Sequence, residues 1–349
     1  MAVVYRAAFF VLHTKKTTVT AHPPEAGNKT KNLKKMKRNL CIAALAALAL
    51  CLPLTMTGAT PQKKTAKKAT KPAKEICLQL YSVRDLLNDI NPDGKASEKW
   101  TGLLSRLHKM GYTTTEAANY DQAKGTFYNR TPKEYRQDIE NAGMKVLSSH
   151  VAHGISDEHL AKGDYSEELN WWKKCIADHK AAGIKYLVNP WIGPQKSLKD
   201  LDLYCKYLND VGKLCKDAGI TFGYHNHNYE FEKIEGTVMY DYMLEHTNPD
   251  FVFFQMDLYW VVRGAASPTE YFKRYPGRFK MYHVKDHREI GQSGMVGYDA
   301  CFKNASTAGL QYIVAEIEQY TMPVEESVKQ SADYLLNASF VKASYATAK

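Results

Sequence analysis

Four apolar runs in this chain each stop at a side chain that binds metals. They are Thr221-Phe222-Gly223-Tyr224-His225-Asn226-His227, Phe253-Phe254-Gln255-Met256-Asp257, Phe279-Lys280-Met281-Tyr282-His283 and Tyr312-Ile313-Val314-Ala315-Glu316. Each has the length of a buried strand, and a helix-like pattern follows each. Four similar runs precede them, at 76–81, 112–116, 145–149 and 186–189. Helical patterns lie between these at 100–110, from Thr131-Pro132, at 167–182 and at 198–218. The later ones fall at 238–246, 268–275, 298–308 and 324–336.

Strands that alternate with helices predict a parallel sheet. Eight such units over residues 75–349 are close to the ~250 residues of a closed (β/α)8 TIM barrel. No Gly/Ser/Pro-rich break divides them, so a single α/β domain is expected. The punctuation agrees. Thr131 caps a helix with Pro132 in its first turn. Ala-Gly followed by an apolar residue recurs at Gly143, Gly183 and Gly219, where a helix must turn back into a strand. A doubly wound sheet would also alternate, but no Gly-rich phosphate turn follows the first strand.

Charge separates the chain into two parts. Of 47 basic residues, fifteen lie in the first 75 positions, against two acids there. The remainder carries 32 basic and 35 acidic residues and is close to neutral. Basicity therefore belongs to the leader, which excludes a nucleic-acid partner on charge grounds. Met36-Lys37-Arg38 followed by the apolar 41–54 and the small residues Thr57-Gly58-Ala59 reads as a signal peptide over 36–59. The apolar part is too short, and too interrupted by Pro53, for a membrane span. On this reading 1–35 is a mis-annotated upstream extension and 60–74 a disordered basic tether. The mature barrel is expected in the periplasm or secreted, without a membrane span. N-terminal sequencing of secreted material tests this; a mature start before Met36 overturns it. The odd number of cysteines beyond the leader, with no CxxC pair, indicates small buried hydrophobes rather than a disulfide framework.

The candidate chemistry sits at strand ends. His225 and His227, two apart on a strand, share a face and suit a divalent ion of intermediate softness such as Zn, Mn, Co or Ni. The bland alternative is a pair of core histidines satisfied by hydrogen bonds. Asp257 inside an apolar run is expensive to bury without a cation or donors. His283 and Lys285 share a face, placing a ligand beside an electrophile or base. Glu316 ends the last strand, with Glu318 on its face. Glu116, His150 and Glu230 are pocket candidates, and Trp191 and Trp260 suit a platform for the apolar face of a sugar.

As a set, LQLYSVRD (78–85), GYTTTE (111–116), YHNHNYEF (224–231), QMDLYWV (255–261), GRFKMYHVKD (277–286) and VAEIEQY (314–320) resemble the sugar phosphate isomerase/epimerase family with a xylose isomerase-like TIM barrel. That family also includes inosose dehydratase, ketose 3-epimerases and endonuclease IV. The resemblance implies one divalent metal at the barrel mouth, a small carbohydrate substrate and proton transfer next to a carbonyl. It implies Asp257, His283 and Glu316 as ligands, with His225 where isomerases and epimerases of the family carry a glutamate. Glu316 is then ligand or base, and Lys285 or His150 its partner. The expected activity is a metal-dependent sugar isomerase or epimerase. The histidine on strand five removes one of the two carboxylates of two-base epimerisation and makes a one-base alternative credible, a keto-sugar lyase or dehydratase. A non-catalytic carbohydrate-binding barrel is a further alternative. Homo-oligomerisation is left open.

Overall fold

A computed structural model describes residues 73–87 and 98–346. The expected leader segments 1–35 and 36–59, and all but the last two residues of 60–74, lie outside these. Lys74 belongs to the barrel rather than to a tether. Its ammonium donates to the carbonyls of Leu335 (3.0 Å) and Ala338 (2.6 Å).

Eight parallel strands close into a barrel. They are β1 (Cys77–Gln79), β2 (Thr114–Ala117), β3 (Lys145–His150), β4 (Tyr186–Asn189), β5 (Thr221–His225), β6 (Val252–Asp257), β7 (Met281–Lys285) and β8 (Tyr312–Glu316). Each pairs with its sequence neighbour, and β8 pairs with β1 through Val314 beside Cys77. The principal outer helices are α1 (Glu98–Lys109), α2 (Pro132–Asn141), α3 (Ser166–Ala181), α4 (Leu198–Asp217), α5 (Met239–His246), α6 (Pro268–Arg274), α7 (Tyr298–Lys303) and α8 (Val324–Asn337). Thr131 and Glu134 form the capping box expected at α2. Among the described residues no helix is long and apolar enough to cross a membrane.

Alternation along each strand divides two cores. Outward residues such as Phe222, Tyr224, Phe254 and Tyr282 pack in one cluster with the helices. Inward residues Cys77, Leu147, Val188, Phe253, Met281 and Val314 fill the barrel. Gly223 on β5 makes room for the Phe253 ring, since a Cβ there would lie 2.5 Å from it. Cys77, Cys175, Cys205, Cys215 and Cys301 are buried free thiols.

Several strand boundaries differ from the expected pattern by one or two residues. The first strand stops at Gln79 rather than at 81, because the Gln79 carboxamide oxygen accepts from the Tyr81 amide and opens a 3-10 turn. The seventh strand runs two residues further than expected and takes in Lys285.

Candidate metal centre

Above the apolar barrel layer, the next inward positions are polar on nearly every strand. Adjacent register sets them side by side: Gln79 with Glu116, His225 with Gln255, Asp257 with His283, and Lys285 with Glu316. All lie at carboxyl ends of strands, the end where barrel enzymes carry their chemistry.

His283 is the centre of the group. Its Nδ1 stands 3.5 Å from Asp257 Oδ2 and 3.4 Å from Glu316 Oε2. Two donors each ~2.1 Å from one ion, at a tetrahedral angle, stand roughly 3.4 Å apart. Asp257 Oδ2 and His283 Nδ1 are buried and have no hydrogen-bond partner. The other Asp257 oxygen is occupied, accepting from the Trp260 amide at 2.8 Å. A buried carboxylate oxygen that faces an imidazole nitrogen at 3.5 Å without a well-formed hydrogen bond is stabilised by a proton on the ring, whose pKa these carboxylates raise, or by a cation in that proton's place. The residues present therefore fit a divalent ion. Ligand atoms of Asp257, His283 and Glu316 lie within 4.8 Å of one another, as do those of His150, His225 and His283.

The far side of His283 explains its orientation. Its Nε2 is 3.1 Å from Glu116 Oε1. Glu116 is fully buried and also receives Gln79 Nε2 (2.8 Å), Ser148 Oγ (2.6 Å) and Gln255 Nε2 (2.8 Å). Burial pushes this carboxyl up, but His150 and the His283 and Ser148 contacts outweigh it and hold the pKa at about 2. Both oxygens of Glu116 are thus engaged inside the barrel. In this arrangement the carboxylate lies against the His283 and His150 rings and supports them. A carboxylate behind a ligating imidazole fixes its tautomer and raises its basicity.

Gln255 performs a similar task for two more rings. Its Oε1 accepts from His150 Nε2 at 2.6 Å and from His225 Nδ1 at 3.1 Å. His225 is left with Nε2 unencumbered, and burial, then the neighbouring His283 and His150, push its pKa well below the usual value. Neutral imidazole is the ligating form. Proton transfer by His150 is constrained, because its Nε2 lies between Gln255 and Glu116.

On the β7–β8 side the group is charged. Lys285 Nζ is 2.7 Å from Glu318 Oε2 and 3.5 Å from Glu316 Oε2, and lies 5.7 Å over the Trp260 ring. Burial opposes the ammonium, but Glu316, Glu318 and Asp257 outweigh it and raise the Lys285 pKa. Burial likewise opposes the Glu316 anion, and Lys285 and His283 reverse that, so its pKa is lowered.

The structure does not bring His227 into either donor group. Strand β5 ends at His225, so the two-residue alternation that would align the pair stops there. The chain turns instead, and the His227 amide donates to Glu230 Oε2 at 2.9 Å. His227 Nδ1 is buried without a partner, and its ring lies 5.2 Å from Trp191 and 5.6 Å from Trp260. Glu230 is fully buried, accepts from Tyr224 Oη at 2.7 Å and braces the loop. Trp191 is 42% exposed at the mouth, and Trp260 is partly buried beside Lys285.

Two supporting residues, Gln255 and Asn226, escaped the sequence reading, and a polar residue inside an apolar run is the only local signal of Gln255. Asn226 follows the last residue of β5. Its carboxamide accepts from the Asp257 amide at 3.1 Å and donates to the Asp257 carbonyl at 3.4 Å, lacing β5 to β6.

The fold and this cluster define a barrel of one family. The profile of the xylose isomerase-like TIM barrel matches residues 104–338, and the chain belongs to that family. It is similar to a crystal structure of a sugar phosphate isomerase/epimerase from Parabacteroides distasonis ATCC 8503. That likeness has 32% identity and a TM-score of 0.70, over 81% of this chain and all of the other. It is also similar to inosose dehydratase from Geobacillus kaustophilus, 23% identical over 202 residues, which are 53% of this chain and 61% of that protein. The IolI protein with a bound zinc atom, 15% identical with a TM-score of 0.56 over 76% of this chain and 99% of that one, shares the fold.

Proposed function

We propose that this barrel is a metal-dependent sugar isomerase or lyase that removes a proton next to a carbonyl from one face of its substrate. The observation that carries this reading is the asymmetry of the site. Lys285, Glu316 and Glu318 form a charged acid–base group on the β7–β8 side. Opposite them, His150 and His225 have ring nitrogens tied to Gln255. Two-face epimerisation needs an acid–base group on each side; the arrangement supports transfer on one.

Asp257, His283, Glu316 and His225 would hold one divalent ion, of the Zn, Mn, Co or Ni type. When bound, such an ion polarises the carbonyl and raises the acidity of the adjacent carbon. Glu316 takes the proton, and the Lys285 ammonium stabilises the negative charge that develops on oxygen. In the isomerase outcome Glu316 returns the proton to the former carbonyl carbon, while Lys285 gives a proton to the former carbonyl oxygen and takes one from the adjacent hydroxyl, which becomes the new carbonyl. In the lyase outcome the bond to a β-oxygen breaks and the departing hydroxide takes a proton from Lys285, leaving as water. The similarity to inosose dehydratases favours the second outcome as an alternative. Trp191 and Trp260 would flank the sugar. The signal peptide read at 36–59 would place this chemistry outside the cytoplasm.

The test combines metal analysis with fructose, xylulose and inosose in D2O. Wild-type protein is expected to bind one equivalent of metal and to introduce deuterium next to a carbonyl, with loss of water marking elimination. Asp257→Ala and His283→Ala are expected to fold without metal. Retained metal in both variants, or no exchange into any of the sugars by loaded wild type, overturns the reading.

A further inference from the structure

A cleft of about 400 Å³ opens beside the carboxyl ends of β1 and β2. Tyr81 and Arg84 enter it from the loop after β1, Asn119 from the loop after β2, and Tyr128, Asn129 and Arg130 from the hairpin that follows. These loops leave the barrel where Gln79 and Glu116 meet at 2.8 Å, on the face that carries His283. The cleft and the reacting group also share a wall. Arg84 Nη2 donates to the Glu318 carbonyl at 2.8 Å, and the Glu318 carboxylate holds Lys285.

The chemistry of the lining selects a ligand class. Tyr81 is 43% exposed, and the Arg84 guanidinium stacks 4.4 Å from its ring. Asn119 is an exposed amide, offering donors and an acceptor, which is what a ring of hydroxyl groups requires. Tyr128 and Asn129 hold left-handed backbone conformations (φ 51° and 60°) that L residues rarely adopt. The Tyr128 hydroxyl accepts from the Ala118 amide at 2.9 Å, which helps to fix that turn.

Neither arginine presents an open fork to an anion. Arg130 is 1% exposed, its charge is met by Asp138 at 2.6 Å, and its Nη1 donates to the Tyr128 carbonyl. Arg84 spends Nη1 on Tyr81 O and Tyr320 Oη and Nη2 on Glu318 O. Phosphate recognition by arginine relies on bidentate donors directed at the ligand. The walls instead combine aromatic residues (Tyr81, Trp100 and Tyr128), apolar side chains, the Asn119 amide and compensated charge, as neutral carbohydrate sites do.

We infer that this cleft is a second subsite, which receives a neutral sugar ring glycosidically linked to the ring that reacts. The substrate class is then a disaccharide or glycoside rather than a sugar phosphate. This inference rests on the sugar-carbonyl reading of the metal centre.

The test is calorimetric binding of glucose, glucose 6-phosphate and a panel of glucobioses (cellobiose, laminaribiose, maltose and trehalose) to the full metal-loaded chain. At least one disaccharide is expected to bind about tenfold tighter than glucose, the effect of one good aromatic contact. Tyr81→Ala and Asn119→Ala, both at exposed positions, are each expected to remove most of that preference while leaving metal binding intact. Glucose 6-phosphate is expected to bind no tighter than glucose. Equal binding of every disaccharide and glucose overturns the inference. So does a preference unaffected by both substitutions, or a phosphate preference lost in Arg84→Gln. Deuterium exchange without any disaccharide preference retains the reaction and removes the subsite. Disaccharide preference without exchange retains the subsite and removes the reaction.

Discussion

Glu116 and His283, 167 residues apart in the chain, meet inside the barrel with Oε1 3.1 Å from Nε2. The contact spends one imidazole nitrogen on a carboxylate and turns the other toward Asp257 and Glu316. Orientation of a ligating imidazole by a carboxylate is worth roughly 10–100-fold in metal affinity. Glu116→Gln is therefore expected to weaken metal binding by that factor with the fold retained. Competition against a chelator measures it, and an affinity within about twofold of wild type would remove Glu116 from the site.

Lys285→Met separates binding from chemistry. The ammonium contacts Glu316 and Glu318 but belongs to neither donor group. Metal content is expected to persist while deuterium exchange falls by roughly 10²–10⁴, the range of a positioned acid–base group. Undiminished exchange would assign Lys285 a purely structural charge-balancing role.

His179 makes stability sensitive to acid. It lies buried on α3, with Nδ1 2.7 Å from the Cys175 carbonyl and Nε2 3.0 Å from Ser149 Oγ. Burial lowers its pKa to about 4, although the Cys175 carbonyl and Asp178 pull the other way. The unfolded chain, with an ordinary histidine, binds a proton first as pH falls. The stabilising contribution is complete above about pH 6.5 and is lost on acidification toward about pH 4, for a total of about 3 kcal/mol. Urea unfolding across that window is expected to show His179→Gln less stable at neutral pH and less dependent on pH. An unchanged slope would contradict the buried neutral ring.

Gly223→Val tests the floor beneath the site. The new side chain meets the Phe253 ring, which an added Cβ would approach to 2.5 Å. Overpacking of this kind costs about 1–3 kcal/mol. Part of that loss is expected to return in the double variant with Phe253→Leu, read by chemical denaturation. Simple additivity of the two substitutions would show that they do not share the space.

Much of this arrangement was legible in the chain because it is local. An apolar run with a ligand at its end describes Asp257 and Glu316 without any tertiary information. Strand alternation then sets His283 and Lys285 on one face. What escaped depends on register between distant segments. Glu116 reads as an open strand-end acid until Gln79, Ser148, Gln255 and His283 close around it. For His227 the limit is the strand end: alternation would set it beside His225, but β5 stops at His225 and the amide contact with Glu230 turns the backbone there.

The same long-range contacts bear on how the molecule is built during folding. Glu116 on β2 needs His283 on β7, and Gln255 on β6 needs His150 on β3. No fragment that stops at the fourth or fifth strand contains a complete site. Pairing of β1 with β8 completes the ring that holds it. Recovery of metal affinity after dilution from denaturant would accordingly time the last step of the fold, whereas helix content would report the earlier ones.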